Sequence, residues 1–198
     1  MSGQPDLATT FREILAEFRR QRVAFAVVGG LAVSVRSRPR FTQDIDLAVA
    51  VSSDSEAEAV VRGFADRGFR VLSQIEQTAT GRLATVRLQR TNTPNVDLLF
   101  ASCGIEPEIV AAAERLELFS RISAPIARVE HLLAMKLLSR DPRTRQQDDL
   151  DVAALLQELS LSDADKVAEA LRLITQRGFH RRRRLLATWN RLRPHRST

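Results

Sequence analysis

Phe11, Ile14, Leu15 and Phe18 fall at i, i+3, i+4 and i+7, which predicts an amphipathic helix over 7–20. Val23 to Val28 is a β-branched and aromatic run ended by Gly29-Gly30, the pattern of a buried strand closed by a turn. Leu31, Ala32, Val33 and Val35 predict a short helix over 30–37, broken at Arg38-Pro39-Arg40, and residues 44–51 read as a second strand. Ser53 with Glu56 is a capping box opening a helix that Gly68 closes. Leu83 to Leu88 and Val96 to Phe100 read as further strands. Beyond them the apolar spacing is helical: about 107–118, 129–139, 147–159 and 163–177, with a basic helix near 180–192. Strands alternating with helices and then helices alone describe an α/β (α+β) chain. Its mixed sheet is flanked by helices within residues 1–120, and residues 121–198 form a helical C-terminal subdomain with a basic tail.

At 198 residues the chain can bury a substantial core, and it has no apolar stretch of membrane-spanning length. Cys103 is its one cysteine, so no internal disulfide is available and the cytoplasm is the expected compartment. Thirty basic against twenty-four acidic residues give a net charge of +6. The excess concentrates at the end, where Arg177, Arg181, Arg182, Arg183, Arg184, Arg191, Arg193 and Arg196 occur without one acid between them. That density suits a polyanion held through counterion release, while a solvated terminus explains it equally well.

The candidate chemistry begins at Asp44-Ile45-Asp46. In a strand, residues two apart share a face, so two carboxylates stand about 7 Å apart on one side of a buried element. Burying two like charges is costly, and a hard divalent cation such as Mg²⁺ removes that cost. Alone the pair could simply cap a turn. Behind it, however, Gly29-Gly30 offers backbone N–H groups to phosphate, and turn plus carboxylates supply both halves of a metal–triphosphate site. Neither a dinucleotide fingerprint nor a P-loop is present.

Asp97 is a third carboxylate within a strongly apolar run, where it needs a partner. Arg82, Arg87 or Arg90 on the preceding strand could supply one, or Asp97 could join the Asp44/Asp46 site as metal ligand or base. Lys136 sits in a helix apolar nearly all round, so it either snorkels outward or points into the cleft toward phosphate. Asp148 and Asp151 share a face at i and i+3, and one of them could answer Lys136 or Arg145. Asp149 reads as compensation of a helix dipole.

A strand, Gly-Gly, a short helix and Asp-Ile-Asp together resemble a nucleotidyltransferase of the DNA polymerase β superfamily. Gly29-Gly30-Leu-Ala, Arg40-Phe-Thr42-Gln-Asp44-Ile-Asp46-Leu, Glu130-His-Leu-Leu-Ala-Met-Lys136-Leu and Arg145-Gln-Gln-Asp148-Asp149-Leu-Asp151 more narrowly resemble the AbiEii-like minimal nucleotidyltransferases. Many of these are toxins of toxin–antitoxin and phage-defence systems. The resemblance implies a nucleotidyltransferase core in which Gly29, Gly30, Arg40, Thr42 and Lys136 hold an NTP. It implies Mg²⁺ or Mn²⁺ on Asp44 and Asp46, with Asp97 as third ligand or base, and Asp148 lining the same cleft. At residue 30 the family often carries serine, whose hydroxyl touches phosphate; at residue 147 it often carries a basic residue. The implied reaction is Mg²⁺-dependent transfer of NMP from an NTP to an acceptor. An RNA such as a tRNA 3′ end is favoured over a protein or a small molecule such as an aminoglycoside, and a cognate antitoxin is an expected partner. A non-catalytic nucleotide- or RNA-binding module is the alternative.

Overall fold

The computed structural model describes residues 7–78, 80–140 and 146–193; Arg145 and Arg196 lie outside the described residues. Its centre is a mixed seven-stranded sheet. In chain order the strands are β1 (Phe25–Val27), β2 (Ile45–Val49), β3 (Arg70–Glu76), β4 (Leu83–Gln89), β5 (Val96–Leu99), β6 (Glu114–Phe119) and β7 (Ile122–Ile126). Spatially they run β3-β4-β5-β2-β1-β7-β6, with β2 parallel to β5, β1 parallel to β7, and the remaining neighbours antiparallel.

The helices are α1 (Leu7–Gln21), α2 (Gly29–Arg36), α3 (Asp54–Ala65), α4 (Glu106–Ala112), α5 (Val129–Ser139), α6 (Gln146–Glu158), α7 (Ala164–Gln176) and α8 (Leu185–Leu192). The apolar stripe of α1 is buried as its spacing requires, and Phe18 stacks on Phe25 of β1 with ring centroids 4.3 Å apart. Ser53 caps α3 by accepting from the Glu56 N–H. Helix α5 packs against α2, α6, α7 and α8, and α6 also reaches α2. These contacts carry the C-terminal helices to the start of α2, where the double glycine lies.

One expected helix is cut short, and one strand arises where none was expected. The helix read over 107–118 ends at Ala112, and the chain turns back as the β6–β7 hairpin, which straddles residue 120 and adds β7 to the sheet beside β1. Helical propensity through Glu114–Leu118 yields here to the hydrogen-bond ladder that β7 supplies. β3 is an edge strand exposed along its whole length, so no buried face imposes on its residues the alternation that would announce it.

Candidate functional site

β1 delivers the chain to the glycine turn, and the Val28 N–H donates to the Asp46 carbonyl at 2.9 Å, tying the turn to β2. Gly29 has φ +60°, the left-handed region that glycine enters without strain. A Cβ there would stand 2.0 Å from Asp46 Oδ2, so the missing side chain is what lets the carboxylate lie against the turn. A Cβ on Gly30 would meet Arg40 Nη2 at 2.6 Å and Thr42 Oγ1 at 2.8 Å. Gly29 is thus required by its backbone and by the Asp46 carboxylate, while a side chain at residue 30 would have to displace the Arg40 guanidinium and Thr42.

Across the sheet, register does the rest. Asp46 on β2 pairs with Asp97 on β5, and Asp97 pairs with Arg87 on β4, so the three side chains form one row. Arg87 donates to both Asp97 oxygens, at 2.8 and 2.6 Å, and its Nη2 lies 3.6 Å from Asp44 Oδ2. Asn95 Nδ2 donates to Asp44 Oδ1 at 3.2 Å. Among the described residues no arginine forms an ion pair with Asp46. Burial, then the Asp97 charge, then the Asp44 charge push its carboxyl up to about 6, against the pull of Lys136 and the Gly30 N–H. The Asp97 carboxylate conversely drives Arg87 well above its ordinary value.

Lys136 points inward rather than snorkelling. Its Nζ lies 2.8 Å from Asp148 Oδ1 and 2.7 Å from Asp151 Oδ2. Asp151, 1% exposed, also accepts from Arg40 Nη2 at 3.2 Å and from Gln147 Nε2 at 3.0 Å. Asp148 takes a further bond from Ser139 Oγ at 3.1 Å. Asp149 pairs with Arg140 rather than serving the helix dipole alone.

Gly29, Gly30, Arg40, Thr42, Asp44, Asp46, Asp97, Lys136 and Asp148 all line one cavity of about 540 Å³. Sequence reasoning had not placed Arg87, Ser139, Cys103 or Arg181 in its wall. Cys103 is buried, and burial followed by the nearby Glu106 charge raises its thiol, so it is a wall residue rather than a nucleophile. The arginine-rich end is tied down at three of its arginines. Arg177 pairs with Glu108 at 2.6 Å, Arg181 donates to the Ser102 carbonyl at 3.2 Å, and Arg183 donates to the Arg140 carbonyl. Phe179 and Trp189 are both buried.

Among the described residues no three His, Cys, Asp or Glu side chains form a preassembled metal cage. Even so, the donor chemistry fits a hard cation. Oxygen donors from Asp44 and Asp46 face one cavity, and Asp46 is an acid short of counter-charge.

A family model described as nucleotidyl transferase AbiEii toxin, Type IV TA system, matches residues 13–194. No curated protein sequence matches. Among solved structures, the solution structure of the antibiotic-resistance factor ANT(2'')-Ia superposes with a TM-score of 0.56 at 19% identity over 85% of this chain and 91% of its own. A crystal structure of ANT(2")-Ia in complex with adenylyl-2"-tobramycin gives 0.55 at 16% identity over 85% and 97%. The lincosamide antibiotic adenylyltransferase LnuA, bound to lincomycin, gives 0.51 at 14% over 79% and 100%. At these identities the likeness speaks for the fold.

Proposed function

The chain belongs to the AbiEii family of nucleotidyltransferases, and from that premise we propose that it transfers NMP from an NTP to the 3′ end of an RNA, with tRNA favoured, as a Mg²⁺-dependent toxin countered by a cognate antitoxin. The observation that carries this reading is the convergence of the glycine turn, three carboxylates and Lys136 on one cavity.

Phosphoryl transfer asks a protein chiefly to position groups and offset charge. Lys136 and Arg40, held by Asp148 and Asp151, present two cations beside the start of α2, where the triphosphate would lie. Thr42 takes over a missing role. Its Oγ1 fills the space beside Gly30, so the hydroxyl that relatives carry on residue 30 comes here from residue 42. Asp44 and Asp46 would hold Mg²⁺, which supplies neutralisation of the phosphates and a lowered pKa for the attacking hydroxyl. Asp97 starts with both oxygens on Arg87. An incoming phosphate gives Arg87 a second anionic partner, and Asp97 is then available to the hydroxyl proton. The acceptor oxygen bonds to the α-phosphorus, the α–β phosphate bond breaks, and pyrophosphate leaves.

The test is incubation with each α-labelled NTP, Mg²⁺ and total cellular RNA and protein. Label in RNA, lost in Asp46→Asn, is the expected result. Label confined to protein or to small molecules would overturn the RNA acceptor, and no transfer with any NTP would overturn the reaction.

A further inference from the structure

A second, smaller cavity of about 280 Å³ adjoins the large one. It shares Thr42 and Asp44 with the large one, and its remaining wall is Leu7, Phe41, Gln43, Gln89, Thr93, Pro94 and Asn95. Among the described residues no lysine or arginine lines it, so it suits an uncharged group rather than a phosphate.

Phe41 gives it a face. The ring is 80% exposed although the chain on its N-terminal side is anchored. The Arg40 backbone is bonded through both its N–H and its carbonyl to Ser34 Oγ, at 3.3 Å each, and the Arg40 guanidinium is held on buried Asp151. The segment is thus pinned one residue before an aromatic ring that projects into solvent. Gln43 and Gln89 line the same cavity, and their amides can both donate and accept. Asn95 adds a buried Oδ1 with no hydrogen-bond partner, while its Nδ2 reaches Asp44.

Direction of attack says what belongs here. The phosphate-holding groups Gly29, Gly30, Arg40 and Lys136 line the large cavity, so pyrophosphate departs on that side. In-line displacement needs the attacking hydroxyl opposite the leaving pyrophosphate, and Thr42 and Asp44, common to both cavities, let the 3′ end of an acceptor seated in the smaller one enter the large one, where Asp97 lies. We propose that the smaller cavity is the acceptor subsite, in which Phe41 stacks on the terminal nucleobase of the RNA while Gln43 and Gln89 meet its polar edge. This rests on the RNA-acceptor reading above. A polycationic sugar would meet one carboxylate in this wall, Asp44.

The experiment measures binding of a 5′-fluorescein-labelled RNA hexamer with a free 3′ hydroxyl, and separately of the NTP that supports transfer, for wild type, Phe41→Ala and Phe41→Trp. Base–aromatic stacking predicts that Phe41→Ala weakens the hexamer by about 5- to 150-fold. NTP affinity should stay unchanged, and Phe41→Trp should restore hexamer binding. Because the ring is exposed, melting temperatures should match wild type. Weakened NTP binding with unchanged RNA binding would assign the pocket to the nucleotide and overturn the proposal. So would unchanged binding of both ligands. If wild type neither binds nor labels RNA, the acceptor reading itself has failed. If wild type labels RNA and Phe41→Ala does so with equal affinity, only the subsite has failed.

Discussion

Replacing Asp46 by asparagine should make the metal-free protein more stable while abolishing transfer. Folded Asp46 holds its proton up to about pH 6, because burial and the charges of Asp97 and Asp44 oppose ionisation, against 3.8 for the ordinary side chain. A raised folded pKa contributes stability that is complete below pH 3.8 and is lost as pH rises through 6. At about 1.36 kcal/mol per pH unit, the ionised form therefore weakens the metal-free fold by roughly 3 kcal/mol above pH 7. Asparagine removes that charge and can still accept from the Gly30 N–H. For a chain of this size the gain corresponds to about 6–12 °C in melting temperature. The assay is thermal melting of both proteins in EDTA at pH 4 and pH 8. Little difference is expected at pH 4 and the full gain at pH 8. Adding Mg²⁺ to 100 times its Kd should raise wild type by about 2.7 kcal/mol and leave the variant nearly unmoved. An Asp46→Asn melting temperature at or below wild type at pH 8 without metal would refute the reasoning and make this carboxylate a structural anion.

Lys136→Ala should lower unfolding free energy by about 3–5 kcal/mol as well as activity, because it strips the shared counter-charge from Asp148 and Asp151; urea unfolding checks this, and wild-type stability would mean the acids find cations elsewhere. Gly29→Ala should cut turnover by about 100-fold or more, since its Cβ would stand 2.0 Å from Asp46 Oδ2 and must displace it; a variant with normal turnover would separate that carboxylate from the chemistry. Deleting residues 185–198 should destabilise the protein by about 3–5 kcal/mol through loss of buried Leu185 and Trp189. Alanine at exposed Arg182, Arg184 and Arg191 should instead leave melting unchanged and lower the salt slope of RNA binding by about 0.7–0.9 for each phosphate that is no longer neutralised. An unchanged slope would return those arginines to solvent.

Where a segment is buried, the sequence already carried the element: α1 through its four-residue stripe, β1 through an apolar run closed by glycines, and β2 through the apolar content of Ile45 to Val49. Elements with weaker burial were harder to read. β3 has no buried side, and β6 carries charged residues between half-buried leucines. In the site, the Asp44/Asp46 spacing was legible because it depends only on local geometry. Arg87 was one of three possible partners for Asp97, and the choice is made by the register of β4 against β5, a property of the assembled sheet. Arg181 reaches the cavity wall from a loop 79 residues beyond Ser102, whose carbonyl it binds, a proximity that no local pattern encodes.

Asp151 shows why the C-terminal helices matter to a site laid out on the first strands. One buried carboxylate on α6 grips Lys136 of α5 and Arg40 of the loop after α2. Two acids, Asp148 and Asp151, thus stand against two cations. A long cation left free in the cleft would lose about 2 kcal/mol of rotamer entropy on meeting a phosphate. Here that ordering accompanies folding, so the cations are in place before a triphosphate arrives, which is the preorganisation that electrostatic catalysis requires. The same arrangement explains the tight neighbourhood of Gly30. Asp151 draws Arg40 toward the turn until its guanidinium occupies the space a side chain at residue 30 would need, with Thr42 following two residues later. In the reaction proposed above, the glycine at residue 30, the threonine at 42 and the acid at 151 would together shape the place for a phosphate, and changing any of them alters the packing of the other two.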